Sequence, residues 1–351
     1  FIDFFKLIQK HINIISLPYD NILFWGGNMK KTLFIIGMIL ALCTMTVSAA
    51  VTKVICVPWQ GDVSKYHTTL SGQAHRLKGV IKTDSTDTIY YKWVFGDDTE
   101  SAVKSASGKK YYDVEADHSY VGSAGTPFTA KLVVADNPDL ANPIEDPYLV
   151  KIEEDNLDAK INIAIDNGLW TLHKNGADNN ANFKTSGGLP IKVWSYYSYY
   201  SSPTASAIQA MQINGHKQTN DFDQDPYAED VYKGFNWLFH GYYYSVNYQM
   251  MRPIGITDLS KSPYGVSDIN GNGIGIEAKD YGYRPVYQGA QIMDAIIASG
   301  TPYADSGRDF DADGDTDTYK EIIHDMAEAY YWGQDDTGSD QGGWRYSWNS
   351  D

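Results

Sequence analysis

Cysteine is nearly missing from this chain: Cys43 and Cys56 are the only two in 351 residues. That excludes a multi-cysteine zinc site, a C-x-x-C redox motif and covalent haem attachment. Long apolar runs are missing as well. The longest unbroken one falls within residues 33–42, well short of the roughly 20 residues that a bilayer-spanning helix needs. Positive charge is scarce, with 28 Lys and Arg against 44 Asp and Glu and a net charge of −16. A surface of that sign disfavours nucleic acid and anionic membranes as partners. It suits cations and a solvated exterior.

What is present begins with an export pattern at residues 29–50. Lys30 and Lys31 give a positive start, residues 33–42 a short apolar stretch, and Val47 with Ala49, or Ser48 with Ala50, the small residues before a cut. This reads as a cleaved secretory signal peptide, so the expected location is secreted or extracytoplasmic, at the cell surface or in the periplasm, with no transmembrane anchor after cleavage. Residues 1–28 precede it. The codons of Trp25-Gly26-Gly27 can read as a bacterial ribosome-binding site just ahead of Met29, so 1–28 is expected to be a translated leader. Residues 1–50 hold four Lys and two Asp, which leaves 24 basic against 42 acidic residues in the remainder. Cleavage would also remove Cys43, leaving Cys56 with no disulfide partner. The last residues, Trp344 to Asp351, stop inside a patterned segment, so the chain is expected to be C-terminally incomplete.

Residues 51–155 alternate in the manner of strands. Thr88-Ile89-Tyr90-Tyr91-Lys92-Trp93-Val94-Phe95 and 128–134 are the clearest runs, separated by turn clusters at 82–87, 96–98 and 122–127. Short strands at this spacing imply a small antiparallel sandwich. Trp93 and Phe95 fall on one face and are expected in the core, with Gly96-Asp97 making the corner. Tyr91-Lys92-Trp93-Val94-Phe95-Gly96-Asp97-Asp98 resembles the W-x-F-G-D-G segment of PKD domains. His118-Ser119-Tyr120 and the strand after it resemble the family's later H-x-Y segment. The resemblance covers about residues 65–153 and departs from the family at Asp98, where Gly is usual. It implies an Ig-like sandwich that serves spacing, adhesion or binding.

From residue 156 the period becomes helical. Five amphipathic segments carry Ile161, Ile165, Leu169 and Leu172; Ile208 and Met211; Tyr227, Val231, Phe235 and Leu238; Val286, Ala290, Met293 and Ile297; and Tyr319, Ile322, Met326 and Tyr330. Pro stands at or near several starts and Gly just past most ends, as helix termini favour. Residues 166–172 echo 232–238, and Gln341-Gly342-Gly343-Trp344 resembles the Q-x-x-G-x-W repeat of the prenyltransferase and squalene-cyclase superfamily. That resemblance covers about 156–351 and implies all-α hairpins of an α/α toroid. The expected fold is therefore multidomain: an all-β Ig-like sandwich over 51–155, then a partial α/α toroid over 156–351.

The superfamily's chemistry does not carry over with the resemblance. The strings nearest to a D-x-D-D acid motif, Gly333-Gln334-Asp335-Asp336 and Asp311-Ala312-Asp313-Gly314, do not match it, and the helical half contains no Cys for zinc or a thioester. A pair of carboxylates acting on polysaccharide stays open. His173, His216, His240 and His324 read as ordinary helix-end or surface histidines. The tyrosine clusters at 196–200 and 242–244 suit either packing or glycan stacking.

The sharper chemical pattern is for calcium. Asp309, Asp311, Asp313, Asp315 and Asp317 place oxygens at alternate positions, with Gly314 sixth, as in the opening of an EF-hand loop. The twelfth position is Lys320, with Glu321 one place late. Asp268, Asn270 and Asn272 repeat the spacing, with Gly273 sixth, and there Glu277 or Asp280 could stand in for Lys279 at the close. A poorer run is Asp221, Asp223 and Asp225. The expected activity is non-catalytic binding or scaffolding of an extracellular protein or glycan, with calcium-stabilised loops and no catalytic residue assigned. A secreted polysaccharide-active enzyme is the alternative.

Overall fold

A computed structural model of the chain describes residues 51–61, 65–178, 183–185, 187–195, 200–243, 249–258, 268–280, 284–335, 337–344, 347 and 348. The expected leader, the signal segment, Cys43 and Tyr196 to Tyr199 lie outside these residues, as does Tyr244.

The alternating region forms eight strands: β1 Val51–Cys56, β2 His67–Thr69, β3 Ala74–Thr83, β4 Ile89–Val94, β5 Lys104–Ala106, β6 Tyr111–Ser119, β7 Pro127–Ala135 and β8 Ile144–Ile152. One sheet has the order β1-β3-β6 and the other β2-β8-β7-β4-β5. All pairings are antiparallel except β2 with β8. The expected sandwich is therefore present. Trp93 and Phe95 are both buried in its core with Leu77, Ile81, Leu132 and Tyr148. Gly96 makes the corner at φ +83, and a Cβ there would lie 2.4 Å from the Thr129 carbonyl oxygen. Asp98, where the resemblance expects Gly, takes the left-handed φ of +66 that the position requires; Asp is among the few side chains that tolerate it. The two quoted motifs also meet. His118 lies 2.7 Å from Asp97 and stacks on Phe95 at 4.0 Å, and the Tyr120 hydroxyl donates to the Phe95 carbonyl at 3.1 Å.

Among the described residues five α-helices follow at the expected places: α1 Leu157–Asn175, α2 Ser201–Ile213, α3 Pro226–His240, α4 Pro285–Ala298 and α5 Tyr319–Trp332. The Asn156 side chain caps α1, Asp225 caps α3, and Thr318 with Glu321 forms a capping box on α5. Such caps satisfy helix-start N–H groups that would otherwise be orphaned. Gly234 lets α3 approach α2 closely, since a Cβ there would sit 2.4 Å from Ile208.

Two expectations change. The region is not all-α, because three two-stranded ribbons lie between the helices. They are β9 Ala177–Asp178 with β11 Lys192–Val193, β10 Phe183–Thr185 with β12 Gly241–Tyr243, and β13 Met251–Gly255 with β14 Ile274–Ala278. The second change is the phase of α4. Its buried face carries Gly289, Ile292 and Ile296, while Ala290 and Ile297 point outward. The helix is apolar on two neighbouring stripes, and Gly289 selects between them: a Cβ at this position would meet the Tyr330 hydroxyl at 2.9 Å.

Sandwich and helices belong to one compact unit, residues 49–351, joined by buried charge. Along β3 and β6 the alternate side chains Lys78, Lys82, Asp113 and Glu115 leave the sandwich core and face α1 and α3. Asp166 of α1 pairs with the fully buried Lys78 ammonium and lies 3.2 Å from His67 Nδ1. Burial alone would raise the Asp166 pKa, but His67 and Lys78 outweigh it and hold the carboxyl below its usual range. One turn on, the Trp170 indole donates to Glu115 at 2.7 Å. Lys82 reaches Glu229 of α3 at 3.1 Å.

Removing one member of a buried ion pair strands the other, at a cost of about 3–5 kcal/mol. Asp166→Ala is expected to lower stability by about that amount in urea denaturation. The Lys78→Met/Asp166→Leu double variant should recover most of it. A double variant as unstable as the single one would show that charge pairing does not hold this interface.

Candidate functional site

The two acidic loops, separate in sequence, come together beside α5. In the loop starting at Asp309, the Asp309 carboxylate accepts from Ala312 N–H at 2.6 Å and from Gly314 N–H at 3.2 Å. The carboxylate atoms of Asp309, Asp311 and Asp313 lie within 4.8 Å of one another. Asp315 is exposed and offers its N–H to Asp313 at 2.9 Å. Asp317 departs from the expectation. It turns inward and accepts from Phe310 N–H at 2.6 Å, closing the base of the loop. Burial, with Asp311, Glu321 and Asp309 nearby, pushes its carboxyl up to about 6.

The loop starting at Asp268 has the same internal bonds. Asp268 accepts from Gly271 N–H at 2.8 Å and from Gly273 N–H at 3.0 Å. Its side-chain surroundings come from α5. Asn270 Nδ2 donates to Asp325 at 2.8 Å, and Asn272 Nδ2 lies 3.5 Å from the other oxygen of that carboxylate. Glu328 accepts from the N–H groups of Ile269 and Asn270 at 2.9 and 3.1 Å. Asn272 also reaches Asp311 of the other loop, at 3.4 Å. Burial, together with Glu328 and Asp317, pushes Asp325 up to about 7 despite the bonds from Asn270 and Asn272.

The three acids expected to stand in at the twelfth position are engaged elsewhere. Glu321 accepts from Thr318 N–H at 2.7 Å in the α5 capping box. Glu277 is bound by Arg252 at 2.5 Å and by the Trp348 indole at 2.7 Å. Asp280 accepts from the N–H groups of Tyr200 and Ser201 at 2.6 and 2.7 Å, at the start of α2. In the third run, Asp225 is an N-cap. Asp325 and Glu328 escaped the sequence reading because they lie more than fifty residues from Asp268. The available signal was a pair of acids at i and i+3 on the buried face of an amphipathic helix.

The four histidines of the helical region are expected at helix ends or on the surface; His173 is in the last turn of α1, but it and His216 are buried. His173 is fully buried, with one ring nitrogen 2.6 Å from Asp230 and the other 3.0 Å from Asp113 of the sandwich. Lys192 joins the same Asp230 at 2.8 Å. Burial would lower the His173 pKa, but Asp230 and Asp113 outweigh it and raise it. His216 is also buried, between Asp225 and the Trp59 carbonyl, at 3.0 and 3.1 Å. His240 is half-buried against the Ser306 carbonyl, and His324 is exposed.

A second group with metal-ligand geometry is buried at the junction: His67, His75 and Asp166. Lys78 already places a cation on its carboxylate. Burial, then His67, push His75 down to about 3, so it is neutral. This cluster is a clamp that carries its own counter-charge. Cys56 is buried, and burial with Asp146 beside it raises its thiol well above the ordinary value, which leaves it unreactive. Tyr200 packs edge-on to Phe183 at 5.2 Å in the core, not on a glycan-facing surface.

An open apolar cleft of about 230 Å³ lies between α4 and α5. Ile296, Ile297, Pro302, Tyr319, Ile323 and His324 line it, and none of its lining residues is acidic. Among the described residues no helix is long and apolar enough to cross a membrane.

No protein-family model matches the chain, and no curated protein does. Solved structures give partial similarities. The PKD domain of an M14-like peptidase from a Thermoplasmatales archaeon aligns over 30% of this chain and 100% of that one, at 13% identity and a TM-score of 0.22. The CARDB domain of a Pyrococcus furiosus protein, solved with di-metal ions, covers 30% of this chain and 94% of that one, at 8% identity and a TM-score of 0.23. A Pseudomonas fluorescens alkylpurine DNA glycosylase bound to DNA with an abasic site analogue covers 35% of each chain, at 8% identity and a TM-score of 0.19. These similarities are too distant to assign a function, and none of the three is to a prenyltransferase-like toroid.

The His173 arrangement has a definite pH signature. A raised folded-state pKa stabilises fully below the ordinary value of 6.5, and that stability is lost as pH rises through the folded value. The stability difference between wild type and His173→Gln should therefore be larger at pH 6 than at pH 9, read as urea midpoints. A difference that does not change with pH would contradict an imidazolium at this position.

Proposed function

We propose that the chain is an exported, non-catalytic binding or scaffold module, in which a sandwich is fused to a helical platform whose long loops are steadied by calcium. The observation that carries this reading is how the buried carboxylates are used. Asp166 and Asp230 are neutralised by lysine and histidine, Asp225 and Asp280 satisfy helix-start N–H groups, and Glu277 is held by Arg252. A glycosidase needs two carboxyl groups facing a substrate across open space, about 5–9.5 Å apart. The cleft between α4 and α5 offers none. The aspartates at 309, 311 and 313 supply oxygen ligands of the kind that calcium prefers. A cation bound only by the folded chain stabilises it by mass action.

Partners of this module are expected to be an extracellular protein or a glycan. Exposed Tyr287, Tyr303, Tyr331 and Trp344 offer flat apolar contact on the helical side.

Two measurements test the reading. Calcium should raise the melting temperature of the purified chain by several degrees and EDTA should reverse this, with a smaller rise in Asp309→Ala; no shift in wild type rejects the calcium role. Incubation with xylan, chitosan and dextran should release no new reducing ends. Turnover of any of them that a single carboxylate variant abolishes would replace the scaffold reading with an enzyme.

A further inference from the structure

We propose that Asp325 and Glu328 of α5 close the loop of Asp268, Asn270 and Asn272 into a calcium site that is assembled from two distant parts of the chain. The decisive group is Glu328. It is 3% exposed, its Oε1 takes the two N–H groups of the loop, and its Oε2 is buried with no hydrogen-bond partner. An orphaned carboxylate oxygen in the interior is costly. Asp325, 1% exposed, lies one turn away on the same helix face. Among the described residues no lysine or arginine pairs with either group, in contrast to Asp166, Asp230, Glu229 and Glu115 at the sandwich junction. Two carboxylates buried together without a counter-charge repel each other, and a cation between them removes that penalty.

The donor chemistry suits a hard cation. Asp325 and Glu328 supply carboxylate oxygens. Asn270 and Asn272 donate to Asp325, while their amide oxygens accept from the N–H groups of Asn272 and Ile274 at 3.0 and 2.8 Å. Carboxylate oxygens beside a loop of this spacing suit the flexible coordination of Ca²⁺ better than the rigid octahedron of Mg²⁺. Asp311 of the neighbouring loop stands at the rim through its 3.4 Å contact with Asn272, which would tie both loops to α5. The proposal shares with the proposed function the premise that these loops take calcium, but its ligands are different residues, so each can fail alone.

The test is calorimetric titration of the purified, EDTA-stripped chain with CaCl2, for wild type, Asp309→Ala, Asp325→Asn and Glu328→Gln, with melting curves in EDTA. Wild type should bind calcium at two sites. Asp325→Asn and Glu328→Gln should each weaken one of them by about tenfold or more, and Asp309→Ala should affect the other. In EDTA the two neutral α5 variants should melt at or above wild type, because they relieve buried repulsion. Calcium heats unchanged in both α5 variants would overturn the site. So would heats lost together with a melting temperature below wild type in EDTA, which marks a purely structural role. A single equivalent in wild type that Asp309→Ala abolishes would remove this site and leave the other loop standing. No calcium heat at all would remove both.

Discussion

The carboxylate of Asp166 is the constraint on which the rest of the arrangement depends. It is buried where a β-sheet face and a helix face meet, and it is tolerable there only because the Lys78 ammonium and the His67 ring arrive from the sandwich at the same point. Taking such ions out of water costs several kcal/mol each, and only good geometry returns it. One register of α1 against β3 and β6 achieves this. Once Asp166 is placed, the helical repeat puts Trp170 on Glu115 and His173 on Asp113. Slipping the helix by one residue would break all three contacts together, so the polar junction fixes orientation in a way that an oily face of the same area would not.

The anchor then propagates. His173 binds Asp230 of α3, and Lys192 of β11 binds the same carboxylate. α1, α3 and the small ribbon between them are thereby held by one charge network that begins in the sandwich. Farther along the chain the logic reverses. On α5 the acids Asp325 and Glu328 are buried and meet amides and N–H groups, with no lysine or arginine paired to either among the described residues. One molecule thus contains buried acids with a built-in counter-charge and buried acids bonded to neutral groups.

Much of the fold could be read from local pattern. Trp93, Phe95 and Gly96 lie where alternation and turn chemistry place them, and the five helices start and stop at their Asn, Asp, Thr, Pro and Gly signals. These depend on neighbours a few residues away. The features that were not legible depend on distant ones. The burial of His173 comes from Asp113, sixty residues earlier. The phase of α4 is decided by the approach of Tyr330 to Gly289. The ribbons are too short for period-two alternation to show. The candidate calcium loops announced their spacing, but the acids Asp325 and Glu328 that bond to the Asp268 loop sit on a helix beyond the local window, while Glu321, Glu277 and Asp280 were claimed by a cap, an arginine and a helix start.

Raised carboxyl pKa values often flag catalysis, and Asp325 at about 7 and Asp317 at about 6 invite that reading. Their setting argues otherwise. A general acid must touch its substrate within hydrogen-bond reach, yet both groups are buried, are bonded to loop N–H or amide groups, and do not line the cleft between α4 and α5. Their pKa values rise because burial and like charge disfavour ionisation. The same two causes that would tune an acid for proton transfer are what a divalent cation relieves on binding. On the proposed calcium reading, relief by a cation would account for the raised values of both acids without a proton-transfer role.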